Sequence, residues 1–90
     1  MALIDIDHFS ELNDALGHQK GDQLLLAVAQ RLAASLHPEM TLARVGGDVF
    51  GLFGPADQLD PLQLLNHFRR PFAVGEYSLP VQATIGLTRL

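Results

Sequence analysis

Residues 41–53 read TLARVGGDVFGLF, two short β-favouring apolar runs separated by Gly46-Gly47-Asp48. Paired glycines between such runs specify a tight hairpin, because they reach the positive φ values that close reversals demand. A hairpin makes its strands antiparallel neighbours, and this directs the chain toward an antiparallel sheet. The same residues carry a second reading, in which Asp48 sits at the tip to hold a metal ion.

The remaining segments fit around that hairpin. MALIDID opens as a buried strand whose C-terminal end turns acidic at Asp5 and Asp7. Phe9, Leu12 and Leu16 stand at helical spacing, and Gly17 stops that helix. Leu25, Val28, Ala29, Leu32 and Leu36 then mark a long amphipathic helix, with Asp22 at or near its start as a cap or first-turn acid. The leucines from Leu24 to Leu36 are assigned to the core, and Pro38 closes the segment. Asp60 and Pro61 read as the cap and first position of a further helix, with Leu62, Leu65 and Phe68 on its inner face. After Pro71, two extended pieces flank Gly75-Glu76, the second running through Val81, Ala83 and Ile85, with room for a small added hairpin. The order is β-α-α-β-β-α-β, an α+β domain with helices packed on a mostly antiparallel sheet.

Composition narrows what such a domain can do. Ninety residues, 48% hydrophobic and 18% charged, make one small globular domain or part of one. A net charge of −4 with only six Lys and Arg argues against binding a nucleic-acid polymer, though not against a small nucleotide. With no cysteine there is no disulfide, thiolate metal site or cysteine nucleophile. No run is long enough to cross a bilayer, and no segment resembles a signal peptide, so no membrane contact is expected of this stretch. The histidines, His8, His18, His37 and His67, lack His-x₃-His zinc spacing and read as surface or turn residues. A calcium loop beginning at Asp5 fails, since Ser10 stands at its glycine position and Leu16 at its closing glutamate. What remains is an acid cluster at strand ends. Asp5 and Asp48 converge if the first strand lies beside the hairpin, and two carboxylates plus a backbone carbonyl suit magnesium. The plain alternative is that these acids are solvated turn residues, as Asp22 can be a helix-start residue and Asn13 a helix-end one.

DIDHFSELNDALGHQKGDQLL followed by ARVGGDVF resembles the GGDEF domain of the diguanylate cyclase family. The shared pattern is Asp-x-Asp-x-Phe-Lys-x-x-Asn-Asp-x-x-Gly-His-x-x-Gly-Asp, then Arg-x-Gly-Gly-Asp/Glu-Glu-Phe. ATIGLTRL is similar to the family's later Ser-Ile-Gly strand, with Thr84 for serine, and RRPFAVGEYSLPVQATIG is close in style to domains fused to a phosphodiesterase. The resemblance implies a nucleotide-cyclase or palm-like (ferredoxin-like) fold in a bacterial, cytoplasmic signalling protein. Such domains face each other in pairs, each holding one GTP, and join the two into cyclic di-GMP with Mg²⁺. By the same resemblance Asp5, the Ile6 carbonyl and Asp48 are metal positions, with Asp48 also the surviving catalytic acid. Asn13 and Asp22 match the guanine-recognising pair, the backbone at His8 and Phe9 matches the phosphate turn, and Gly47 joins the substrate-binding set.

The departures from the pattern bear on function. Val49 occupies the position of the second signature acid, and a valine has neither a lone pair for a metal nor a proton to exchange. Losing a general base typically lowers a rate by about 10²–10⁴. Ser10 replaces the family's lysine near the phosphates. The product-feedback motif Arg-x-x-Asp is replaced by His37-Pro-Glu-Met40. Neither the leading Leu-Thr-Gly-Leu-x-Asn-Arg segment nor the closing Lys/Arg helix is present, so residues 1–90 read as a single partial GGDEF domain of a longer protein. The expected function is regulatory: a degenerate domain with impaired catalysis that keeps the groups for Mg·GTP and acts as a homodimer or on an attached sensor or phosphodiesterase domain. The rival readings are a slow but active cyclase and a ligand-free dimerisation module.

Overall fold

The computed structural model describes residues 1–55 and 59–88, so the end of the final run, Arg89-Leu90, lies outside the described residues. The elements are β1 (Ala2–Ile6), α1 (Phe9–Leu16), α2 (His18–Ala34), β2 (Thr41–Arg44), β3 (Val49–Phe53), α3 (Pro61–Asn66), β4 (Phe72–Val74), β5 (Tyr77–Leu79) and β6 (Ala83–Leu87). Four strands form an antiparallel sheet in the order β2-β3-β1-β6, and β4 with β5 makes a separate hairpin. This is the α+β order read from the sequence, with the small hairpin added.

Alternation along β1 sets the two faces of the sheet. Ala2, Ile4 and Ile6 are buried, and Leu3 and Asp5 point the other way. Phe50 and Leu52 of β3 join the buried row, and α2, α3 and the β4–β5 hairpin contribute Leu24, Val28, Leu32, Leu64, Phe72 and Val74 to the same core. The opposite face carries Leu3, Asp5, Val49, Gly51 and Phe53.

Three local expectations are corrected. Gly17, at φ +90°, ends α1 with its N–H on the Asn13 carbonyl at 2.7 Å and is at once the residue preceding α2. Because α2 starts at His18, Asp22 lies a full turn inside the helix and does not cap it. Along α2, Leu24 and Leu25 are buried but Leu26 is 59% exposed, since three consecutive residues at about 100° each cannot share one helix face. On α3, Asp60 does cap, accepting from the Leu62 N–H at 3.0 Å, yet Leu64 and Phe68 point inward while Leu62 is 73% exposed and Leu65 also faces out. The helix ends at Asn66, so Phe68 sits in the following turn and gives no guide to the helix's own register.

The Gly-Gly-Asp tip is also built differently from a two-residue turn. Val45 and Gly46 both donate backbone N–H bonds to the Val49 carbonyl, at 2.9 and 3.2 Å, the pattern of a β-bulge. Neither tip glycine adopts positive φ; among the described residues the left-handed positions are His8, Gly17 and Gly75.

Arg31 fastens the hairpin side of the molecule to α2. Its guanidinium donates to the carbonyls of His67 (3.0 Å), Arg70 (2.6 Å) and Pro71 (2.8 Å) and lies 3.6 Å over the Phe72 ring. Burial, and then the charge of Arg70, hold its pKa below the ordinary guanidinium value.

Candidate functional site

The site is organised by the register of β1 against β3. Asp5 lies directly across from Val49, and the Ile6 N–H donates to the Asp48 carbonyl at 3.0 Å. In an antiparallel ladder that bond makes Asp5–Val49 a non-hydrogen-bonded pair, the kind whose side chains stand closest, with Cα atoms about 4.5 Å apart. A carboxylate at position 49 would therefore stand beside that of Asp5, and the valine puts a branched alkyl group there. On its other flank Asp5 faces Thr84, whose hydroxyl donates to Asp7 Oδ1 at 2.8 Å. Asp7 thus ties β1 to β6, while the carboxylates of Asp5 and Asp48 have no hydrogen-bond or ion-pair partner among the described residues.

Ile6 turns both its N–H and its C=O toward β3, as a residue of an antiparallel ladder must. The N–H is used by Asp48, whereas the carbonyl accepts no hydrogen bond among the described residues. The end of β1 therefore carries three uncommitted oxygen groups: the Asp5 carboxylate, the Ile6 carbonyl and the Asp48 carboxylate. Hard oxygens of this kind fit magnesium, which completes its shell with water or phosphate oxygens. No group of three His, Cys, Asp or Glu side chains gathers into a metal site among the described residues, and the expected set of two carboxylates and one carbonyl is smaller than that.

The chain then turns through His8, a non-glycine residue at φ +59°, into α1. No side chain caps α1, so the first-turn N–H groups that begin at Phe9 are left without intrahelical acceptors. The His8 ring instead pairs with Glu11 Oε2 at 2.7 Å. A cavity of about 600 Å³ opens beside this turn, lined in part by Asp7, His8, Phe9, Glu11 and Arg69.

Asn13 and Asp22 are held by different surroundings. Asn13 Oδ1 is buried without a hydrogen-bond partner in the described structure and packs against Gly21, where an added Cβ would overlap it and crowd the Phe9 ring. Gly21 thus makes room for Asn13, a packing role that reading the sequence missed. Its signal was there, because an isolated glycine inside a helical pattern lowers helix stability by about 1 kcal/mol and asks for a packing reason. Asp22 is exposed and lines a cavity of about 380 Å³ between α2 and β2, together with Leu42, Arg44 and Phe50. Asn13 does not line that cavity. Gly47 has open space where a side chain would be. Arg44 is bonded to carbonyls of the hairpin tip.

Comparisons with known proteins bear on the family and the fold of the chain. The family described as "Diguanylate cyclase, GGDEF domain" matches residues 1–90. The chain is 36% identical over 89 residues to the bifunctional diguanylate cyclase/cyclic di-GMP phosphodiesterase MucR of Pseudomonas aeruginosa, covering 93% of this chain and 13% of that protein. It is 32% identical over 90 residues to the cyclic di-GMP phosphodiesterase NbdA of the same organism, covering 94% of this chain and 12% of that protein. The crystal structure of the GGDEF domain of YfiN from Pseudomonas aeruginosa superposes with a TM-score of 0.83 at 32% identity, over 94% of this chain and 57% of that one. The chain therefore spans about an eighth of the length of these curated relatives and a little over half of the solved domain. With the family match running from the first residue to the last, and a solved GGDEF domain superposing over 94% of the chain, this chain belongs to the GGDEF domain family.

Proposed function

We propose that this chain is a GGDEF module of bacterial cyclic di-GMP signalling that retains the groups for Mg·GTP but has lost efficient cyclase chemistry, and that it acts as a regulatory domain. The observation that carries the reading is the Asp5–Val49 pair. The sheet puts position 49 beside the Asp5 carboxylate, and the residue there can neither ligate a cation nor take a proton. Uncommitted oxygens remain at Asp5, Ile6 and Asp48, and these are the groups that would hold magnesium. Bound magnesium would neutralise phosphate charge and polarise a phosphoryl oxygen. The chain's own part is to orient the nucleotide, with the open N–H groups at the start of α1 facing phosphate oxygens and Asn13 and Asp22 reading the guanine edge. Two relatives with different named activities, one a cyclase and phosphodiesterase and one a phosphodiesterase, support placing the module in this signalling chemistry.

A domain that binds Mg·GTP in only one of two conformations would shift an attached catalytic domain by its difference in affinity for the two states. The deciding experiment is a calorimetric titration of GTP into the full protein, with and without Mg²⁺, beside Asp22→Ala. Magnesium-dependent binding that the substitution abolishes is the expected result. Absence of heat at millimolar GTP would reject nucleotide sensing and leave the scaffold reading. Accumulation of cyclic di-GMP, lost on Asp48→Ala, would instead establish a slow cyclase.

A further inference from the structure

We propose that Arg44 is a positioning residue for the hairpin tip: it holds Gly46-Gly47 in one conformation and thereby fixes where Asp48 presents its carboxylate. The proposal rests on the reading of Asp48 as a metal-side carboxylate, and its test is arranged so that the two fail separately. Arg44 closes β2, and its side chain folds back along the tip. Nε donates to the Gly46 carbonyl at 3.3 Å and to the Gly47 carbonyl at 3.1 Å, and Nη2 donates to the Gly47 carbonyl at 2.7 Å. These are the side-chain hydrogen bonds to the tip among the described residues.

The tip needs such a device. Gly46 and Gly47 have no side chains to pack, and a Cβ at Gly47 would meet nothing within 4 Å. Glycine has more backbone freedom to lose than any other residue. The backbone bonds at the bulge hold Val45, Gly46 and Val49, and Asp48 is tied to Ile6 through its carbonyl. Gly47, immediately before Asp48, is held on neither its N–H nor its C=O by any backbone group among the described residues; its carbonyl is held by Arg44 alone. A planar guanidinium has donors set to bridge two successive carbonyls, which a lysine ammonium on a flexible stem does not reproduce. The same guanidinium lines the cavity with Asp22, so a purely electrostatic role is the alternative to be separated.

The experiment compares Arg44→Ala and Arg44→Lys with the unaltered full chain. Backbone amide relaxation, measured without nucleotide, is expected to give order parameters at Gly47 and Asp48 near 0.85, falling below about 0.6 in both variants. The amides of β1 should stay rigid in all three. In the second arm, the gain in GTP affinity on adding Mg²⁺ should fall about tenfold in both variants. It should fall no further when either is combined with Asp48→Ala. A lysine variant that behaves like the unaltered chain would overturn the proposal in favour of a charge role, and a tip that stays rigid in both variants would overturn it outright. If the unaltered chain binds no GTP, the functional reading fails while the relaxation arm still decides the role of Arg44.

Discussion

At the scale of single residues, position 49 separates fold from chemistry. Valine is a good strand residue, and the ladder runs unbroken through its pairing with Asp5, so the sheet accepts it where the family pattern carries an acid. The converse follows from the same geometry. Val49→Glu places a second carboxylate beside Asp5, and in the full protein it should raise cyclic di-GMP formation from GTP by about 10²-fold or more. Adding Asp5→Ala to that variant should remove the gain. Product measured by chromatography checks this, and a Val49→Glu protein that binds GTP yet makes no more product would show that the missing acid is not what limits the chemistry. The identity of Val49 was legible in the sequence. Its partner was not, because a one-residue slip of register would have put Asp5 opposite a different residue and on the other face.

At the scale of elements, local chemistry predicted most starts and stops. Asp60 and Pro61 open α3 for reasons contained in the residues themselves, an acceptor for an orphan N–H and a ring with a pre-set φ. Gly17 likewise ended α1 as expected. Asp22 misled because glycine, not the acid, marks the boundary of α2, and the acid was free for another role. What no local pattern contained is the clamp at Arg31, whose acceptors lie 36 to 40 residues further along the chain. Arg31→Ala should destabilise the domain by about 1–3 kcal/mol, given that hydrogen bonds to a charged group are worth more than neutral ones and that this group is partly solvated. Arg31→Lys should recover only part of the loss, because one ammonium cannot reach three carbonyls and stack on a ring together. Urea unfolding checks both, and equal stability of all three proteins would show that the clamp is incidental.

At the scale of the whole molecule, stability rests on one core facing α2. A chain of this size has about 5–13 kcal/mol in hand, so one core truncation uses a large share of it. Leu24 is fully buried, and Leu24→Ala should reduce stability by about 2–5 kcal/mol. Leu26→Ala, two residues along and mostly exposed, should change it by no more than about 0.5 kcal/mol. Thermal or urea unfolding distinguishes them, and equal losses would mean that α2 is rotated from the orientation described. The order of elements, the hairpin, the helix boundaries marked by Gly17 and Pro61, and the motif that assigns the family were all legible in the residues alone. Those properties are written within a few residues of where they act. Packing of one element on another settled that position 49 faces Asp5, that Gly21 makes room for Asn13, that Arg31 reaches the carbonyls of His67, Arg70 and Pro71, and which leucines of α2 and α3 are core. Each of these depends on the register of one element against another, and register is set by the packing of the whole sheet and its helices rather than by any segment alone.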